Sequence, residues 1–503
     1  MLRPAGSRKT MTAARCRRSG GIMKATIFGA CLIALVSASV VARLPAPSRI
    51  MEVERGLTSA VILADTPVQR RTIAAEMARL HVPGVSVAVL HDGAIAWARG
   101  YGVTRANGLP VTPDTLFQAG SISKPVTALA ALRLVEQNRL TLDGDVNDQL
   151  KGWKLPVPPG QHVTLRQLLG HVAGTTVHGF PGYAAGQPVP DVDAVLDGRA
   201  PANTKPVLVD TPPGTLWRYS GGGYTVVQKL IEDATGRPFA TMLRDEVLQL
   251  AGMTQSSFAQ PLPAPLLDRV AWPHDGSGTP VEGGPHTYPE LAAAGLWSTP
   301  SDLLRYAIAV RDGARGMPGA LLAPSIATAM LTPGKGDYGL GLEVHGPASD
   351  RRFSHGGSNA GYENFLIAYT GTGDGVAIMT NGAQGNELAM EITRSVAAAY
   401  GWPGYHSIAR RSLPISPAMQ RRLTGTYAVP GLGSFSILAQ GTGLSLSLKE
   451  GASEPLYAAS ADSYFILSSD LVLHLSPDDP GVSGHIVTGP FNVPFQKEAA
   501  TTP

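Results

Sequence analysis

Strand-forming sequence flanks a long, mostly helical stretch of this chain, and few folds accept that order. From Gly84 to Gly102 apolar residues run up to and away from an Asp92-Gly93 pair, the mark of a two-residue hairpin turn. A second strand group spans 352–379, with Phe365, Ile367, Val376 and Met379 among its apolar residues, and a helix is expected over 387–400. Positions 403–419 carry three prolines and lose periodicity, so a linker is expected over 404–419. Beyond it come short strands at 434–438, 444–448, 464–467 and 471–475, with Leu444, Leu446 and Leu448 on one face and Ser445 and Ser447 on the other. They predict a small all-β domain over 420–497, a barrel or a sandwich. The 58 glycines and 41 prolines punctuate periodic segments instead of forming repeats, so a globular chain of about two domains is expected from the 503 residues.

Only one serine has a lysine three residues on, in Ser121-Ile122-Ser123-Lys124. Residues 121–137 have a helical period, which puts both side chains on one face at a helix N-terminus, where Pro125 is harmless. A serine hydroxyl is a weak nucleophile until a base takes its proton, and a lysine serves when burial favours its neutral form. The helix N-terminus adds positive potential where negative charge develops. Alone, S-x-x-K arises freely and more often marks a capped helix beside a solvated lysine. Two further segments give it weight. Tyr219 stands on the glycine-rich loop Tyr219-Ser220-Gly221-Gly222-Gly223 ahead of a helix expected over 225–235, and His355-Gly356-Gly357-Ser358 ends a strand whose glycines admit close backbone approach. G-x-S-x-G, H-E-x-x-H, Walker and C-x-x-C motifs are absent and the twelve histidines are scattered, so the common rival hydrolase, metal and nucleotide readings lack support.

In this order the three motifs resemble those of the serine hydrolases that include class C β-lactamases, D,D-peptidases, D-aminopeptidases and β-lactamase-like esterases. The likeness runs from about 66 to 402 and takes in Thr164-Leu165-Arg166-Gln167-Leu168-Leu169-Gly170-His171 and the stretch 293–303. The resemblance implies an α+β fold, with a β-lactamase/transpeptidase-like domain over 60–403 whose strands form one antiparallel sheet flanked by helices, followed by the all-β domain. It also implies an acyl-enzyme on Ser121, with Lys124 and Tyr219 sharing the proton transfers. The N–H groups of Ser121 and Ser358 would form the oxyanion hole beside Gly357, and His355 would orient Tyr219 or the substrate. No metal or organic cofactor is required, and His171 is read as structural. The third position of the second motif is Gly221, where many relatives carry an asparagine that can hydrogen-bond a substrate amide. A small-molecule ester is therefore the expected substrate, with a β-lactam or a short D-amino-acid peptide as the alternative. A non-catalytic binding protein on the same fold is the third reading.

The formal charge of +3 conceals an asymmetry. Residues 1–42 hold seven basic residues (Arg3, Arg8, Lys9, Arg15, Arg17, Arg18 and Lys24) and no acidic ones, and the rest of the chain has a slight acidic excess. No basic stripe remains for a nucleic acid. The same segment has an apolar run from Ile27 to Val36 and the small-residue sequence Val40-Val41-Ala42, so it reads as a signal peptide over 1–42 and a periplasmic or secreted enzyme is expected. The 18 uncharged residues 25–42 nearly span a bilayer, which makes a retained membrane anchor the alternative. Cys16 and Cys31, the only cysteines, fall in that segment, so the mature chain is expected to carry no disulfide and no thiol chemistry.

Overall fold

The computed structural model describes residues 46–498 apart from 431, 450–451, 477–478, 480–482 and 490. The expected signal segment and both cysteines lie outside the described residues. Among those described, no helix is long and apolar enough to cross a membrane.

Asp92 (φ 51°) and Gly93 (φ 80°) both adopt the left-handed conformation, which gives a turn whose twist matches that of its flanking strands. They join Gly84–His91 to Ala94–Gly102. This hairpin forms one edge of a six-stranded antiparallel sheet, continued in order by Gly375–Thr380, Tyr362–Tyr369, Arg352–Asn359 and Glu343–His345. Val87 stands opposite Ile378, so the two distant strand groups share one sheet.

Side chains alternate across that sheet. Val85, Val87, Val89, Ile367, Val376 and Ile378 face one core, closed by the helices Ala46–Arg55, Ile73–Arg79 and Gly385–Tyr400. The first of these helices precedes residue 60, the expected start of the domain, and buries Ile50 and Val53 in this core. Ala88, Leu90, Leu366, Ala377 and Met379 face a larger core shared with the helical middle of the chain.

Two helices of that middle matter for the site. Ser123–Glu136 is apolar on nearly every side and buries Val126, Leu129, Leu132 and Leu134, and with them Ser123 and Lys124 of its first turn. A helix hydrophobic all round is a buried helix, and here it carries a lysine inside. The other helix, Gly221–Thr235, starts four residues before the expected 225. Ser220 caps it by accepting the Gly223 N–H (2.9 Å) and donating to the Thr176 carbonyl (2.7 Å). This cap offsets the poor helix propensity of three glycines.

Eight strands, from Gly425–Val429 to Phe491–Lys497, close into a barrel. Tyr427, stacked on Phe435 at 5.0 Å and edge-on to Phe495 at 5.5 Å, fills its interior, so the barrel is a packed core and not a pore. Leu444 and Leu446 are buried as expected, but Leu448 is 47% exposed, because the register shifts between Leu446 and Lys449 and turns it outward. The expected linker is itself ordered. Ile408–Arg410 pairs in parallel with Val61–Leu63, and the short helix Pro417–Leu423 follows. The barrel bonds to this ribbon through Val61 N–H to Leu467 O (3.0 Å) and Leu413 N–H to Ala458 O (2.8 Å).

Candidate active site

Gly120–Ile122 makes a single tight turn ahead of the buried helix and leaves Ser121 partly exposed. Lys124, 2% exposed, donates from Nζ to Ser121 Oγ (3.0 Å) and to the Ala293 carbonyl (2.9 Å). Its ammonium also lies 4.9 Å from the centre of the Tyr219 ring. No carboxylate pairs with it among the described residues, and burial pulls its pKa down to about 7. Glu290 begins the turn that supplies Ala293, but burial pushes its carboxyl up to about 8 and both its oxygens lack partners. Burial thus favours the neutral form of that acid, and no ion pair joins it to Lys124 among the described residues.

Tyr219 immediately precedes the Ser220 cap, which brings its phenol against Ser121 and Lys124. Burial raises its pKa, and the Ser121 hydroxyl beside it offsets only part of that shift. The two neighbours of Ser121 thus hold opposite protonation tendencies: an amine that sheds its proton near neutrality and a phenol that keeps it. Such a split is how one site supplies both a base and an acid.

His355 lies close by, with its ring centre 6.4 Å from that of Tyr219, but its hydrogen bonds go elsewhere. Nδ1 donates to the Gly356 carbonyl, so Nε2 carries the lone pair and accepts from the Tyr338 hydroxyl at 3.0 Å. Burial, helped by Lys124, drives its pKa down to about 3 and keeps the ring neutral. Its side-chain hydrogen-bond partner is thus Tyr338, and it meets Tyr219 ring to ring. His171 packs directly on Tyr219, with ring centres 4.3 Å apart, while its Nδ1 accepts the Ser220 N–H at 3.2 Å. It props the loop that carries Tyr219.

The opposite wall is the end of Arg352–Asn359. A Cβ on Gly357 would come within 2.0 Å of the Ala119 carbonyl, and one on Gly120 within 2.7 Å of the Ser358 nitrogen. Only glycine lets this strand approach the Ser121 turn so closely. Ser358 Oγ donates to Glu363 (2.6 Å). Three amides that sequence reading missed bolt the wall in place. Asn364 donates to the Gln118 carbonyl (2.9 Å), and Asn359 donates to the Gln118 side-chain oxygen (2.8 Å) and the Ala294 carbonyl (3.1 Å). Tyr338 was missed as well. None of these sits in a short motif, and only the folded sheet brings them together.

Gly221 begins its helix in close quarters. Added there, a Cβ would lie 2.9 Å from the Phe180 ring and 3.1 Å from the His178 carbonyl. The N–H groups of Gly221, Gly222 and Gly223 already bind His178 O (2.9 Å), Val177 O (3.0 Å) and Ser220 Oγ (2.9 Å). No backbone donor there is left to replace the missing asparagine amide.

A serine hydroxyl held by a dry lysine and a tyrosine, beside a glycine-lined strand, is the equipment of a serine hydrolase. Residues 70–401 match the Beta-lactamase family model, and the chain belongs to that family. It is 27% identical over 372 residues to penicillin-binding protein 4 of Amycolatopsis lactamdurans, which covers 70% of this chain and 94% of that one. It is 29% identical over 296 residues to esterase EstB of Burkholderia gladioli, covering 52% and 72%. The octameric penicillin-binding protein homologue from Pyrococcus abyssi has the same fold, with a TM-score of 0.55 at 23% identity over 84% of this chain and 98% of that one.

Proposed function

We propose that this hydrolase cleaves small carboxylic esters through an acyl-enzyme on Ser121. Lys124, in its neutral form, takes the Ser121 proton as Oγ attacks the ester carbonyl. The N–H groups of Ser121 and Ser358 hold the oxyanion, each worth about a hundredfold in rate or more. Tyr219 delivers a proton to the departing alkoxide and recovers it through Lys124. Water then attacks the acyl carbon, its proton passes back along the same groups, and the acid leaves with Ser121 restored.

The observation that carries the ester preference is Gly221. Phe180 crowds the place of an asparagine side chain, and the adjacent N–H groups are committed. A β-lactam or peptide acylamido group loses one hydrogen bond there, roughly 1 kcal/mol, whereas an ester needs none. Similarity to penicillin-binding protein 4 over 70% of the chain supports the β-lactam or D-peptide alternative. The test is kcat/KM for p-nitrophenyl butyrate against nitrocefin on one preparation. The ester should win, and Gly221→Asn combined with Phe180→Ala, which clears space for the amide, should narrow the ratio by a few-fold to about tenfold. Faster nitrocefin turnover by the unaltered enzyme would overturn the ester reading and leave the serine mechanism standing.

A further inference from the structure

A groove with a cavity of about 470 Å³ lies between the barrel and the helix Gly385–Tyr400, and none of the cleft residues described above lines it. Arg394 enters it from the helix. The side chain is 8% exposed, its one hydrogen bond among the described residues runs from Nε to Thr58 O (3.0 Å), and Nη2 is buried with no partner. A guanidinium stays charged, so burying one without an anion is costly. The carboxylates nearest it in sequence, Glu387 and Glu391, act on it through space only, and their hydrogen bonds go to Arg79 (2.7 Å) and Arg71 (2.6 Å).

On the barrel side of the same groove stands Glu454, half-buried and held by Ser468 through its Oγ (2.7 Å) and its backbone N–H, with no ion pair among the described residues. The other titratable groups lining the groove are occupied. Asp470 accepts from Thr488 Oγ1 and the Gly489 N–H, and His406 Nε2 meets the Trp402 carbonyl. Between Arg394 and Glu454, the groove residues Met390, Tyr405, Leu448 and Ile466 supply an apolar wall. Leu448 is there because the bulge turned it out of the barrel.

We infer that this groove binds a small zwitterion, an α-amino acid with an apolar side chain, its carboxylate on Arg394 and its ammonium on Glu454. The volume falls within the range of about 300–1,000 Å³ usual for small-molecule sites, which favour seams between domains. Arginine matches a carboxylate with two parallel hydrogen bonds, so one ligand group answers the Nη2 donor that the fold leaves without a hydrogen bond.

In the test, Ser121 is first capped with a fluorophosphonate so that the cleft contributes nothing. Calorimetry on the full chain then measures L- and D-leucine beside 4-methylpentanoate, which lacks the ammonium, and 3-methylbutylamine, which lacks the carboxylate. Saturable one-to-one binding of leucine is expected, with each analogue weaker by roughly tenfold or more. Glu454→Gln should weaken leucine by a similar factor while uncapped ester turnover stays unchanged, and it carries the test even if Arg394→Gln fails to fold. No saturation up to about 10 mM leucine, or an analogue that binds as tightly as leucine, overturns the inference.

Discussion

Two groups of buried charge lie on opposite sides of the central sheet, and they are built in opposite ways. In the cleft, Lys124 is sealed from solvent with no carboxylate paired to it among the described residues, and burial governs its proton. Behind the sheet, Arg71 meets Glu391 (2.6 Å), and Arg79 meets Glu76 and Glu387 (2.7 Å each). Two arginines hold the buried Glu76 ionised, whereas isolation makes the charge state of Lys124 easy to change. The rear cluster ties the helices Ile73–Arg79 and Gly385–Tyr400 together, and the front one holds an amine whose pKa burial brings down to about 7.

The largest effect should come from Ser121→Ala, which is expected to lower kcat about a millionfold. Intact-mass analysis after fluorophosphonate treatment should find one adduct on the parent and none on the variant, and labelling that persists would remove Ser121 from its role. Next come two substitutions with contrasting outcomes. Lys124→Met should lose activity on the order of 10⁴-fold yet melt at a higher temperature, because it deletes an unpaired buried amine. Arg71→Met should keep most of its kcat/KM and lose about 1–3 kcal/mol in chemical denaturation, since it removes one of the two arginines that keep the buried Glu76 ionised. If both lose stability alike, the contrast between the clusters fails.

Acidity separates them further. Protonated Lys124 cannot accept the serine proton, so kcat/KM should rise with pH up to an apparent pKa near 7 and fall about tenfold per unit below it. The folded pKa lies below the ordinary lysine value of 10.5, so the unfolded chain binds this proton more tightly and stability gains with pH between those two values. Denaturation midpoints of parent and Lys124→Met at pH 7 and pH 9 should reveal that slope. The smallest effect has the opposite sign. Burial and the neighbouring Glu76 raise the pKa of Glu391, so the folded state holds that proton more tightly and stability falls as pH climbs from the ordinary carboxylate range toward the raised value. Glu391→Gln should flatten this fall, by about 1 kcal/mol between pH 5 and pH 8. An unchanged slope would mean that the Arg71 and Arg79 pairings keep Glu391 ionised throughout.

What the sequence reveals follows the range of each interaction. Ser121 and Lys124 are legible because a spacing of three on one helix is a local fact, and the Asp92-Gly93 turn is legible for the same reason. The glycine start of the helix Gly221–Thr235 is hidden, since the Ser220 cap depends on a carbonyl of a distant loop. Four barrel strands were unread: Gly425–Val429, Ala452–Ala458, Ser483–Thr488 and Phe491–Lys497. Pro455 and Pro494 interrupt two of them, and such residues ordinarily argue against a strand. Gln118, Asn359, Asn364 and Tyr338 serve the cleft through contacts that no spacing rule describes.

The place of Gly84–His91 beside Gly375–Thr380 has a consequence for how the chain acquires its structure. During synthesis the early hairpin emerges nearly three hundred residues before its neighbour, and until then that edge has unpaired backbone groups open to other chains. Closing so long a loop is entropically slow, so refolding should be governed by this pairing and not by helix formation. A chain released before residue 380 keeps Ser121 and Lys124 in sequence yet has no sheet to seat the lysine away from water. Competence to react and completion of the sheet therefore arrive together, and a partly made enzyme is a silent one.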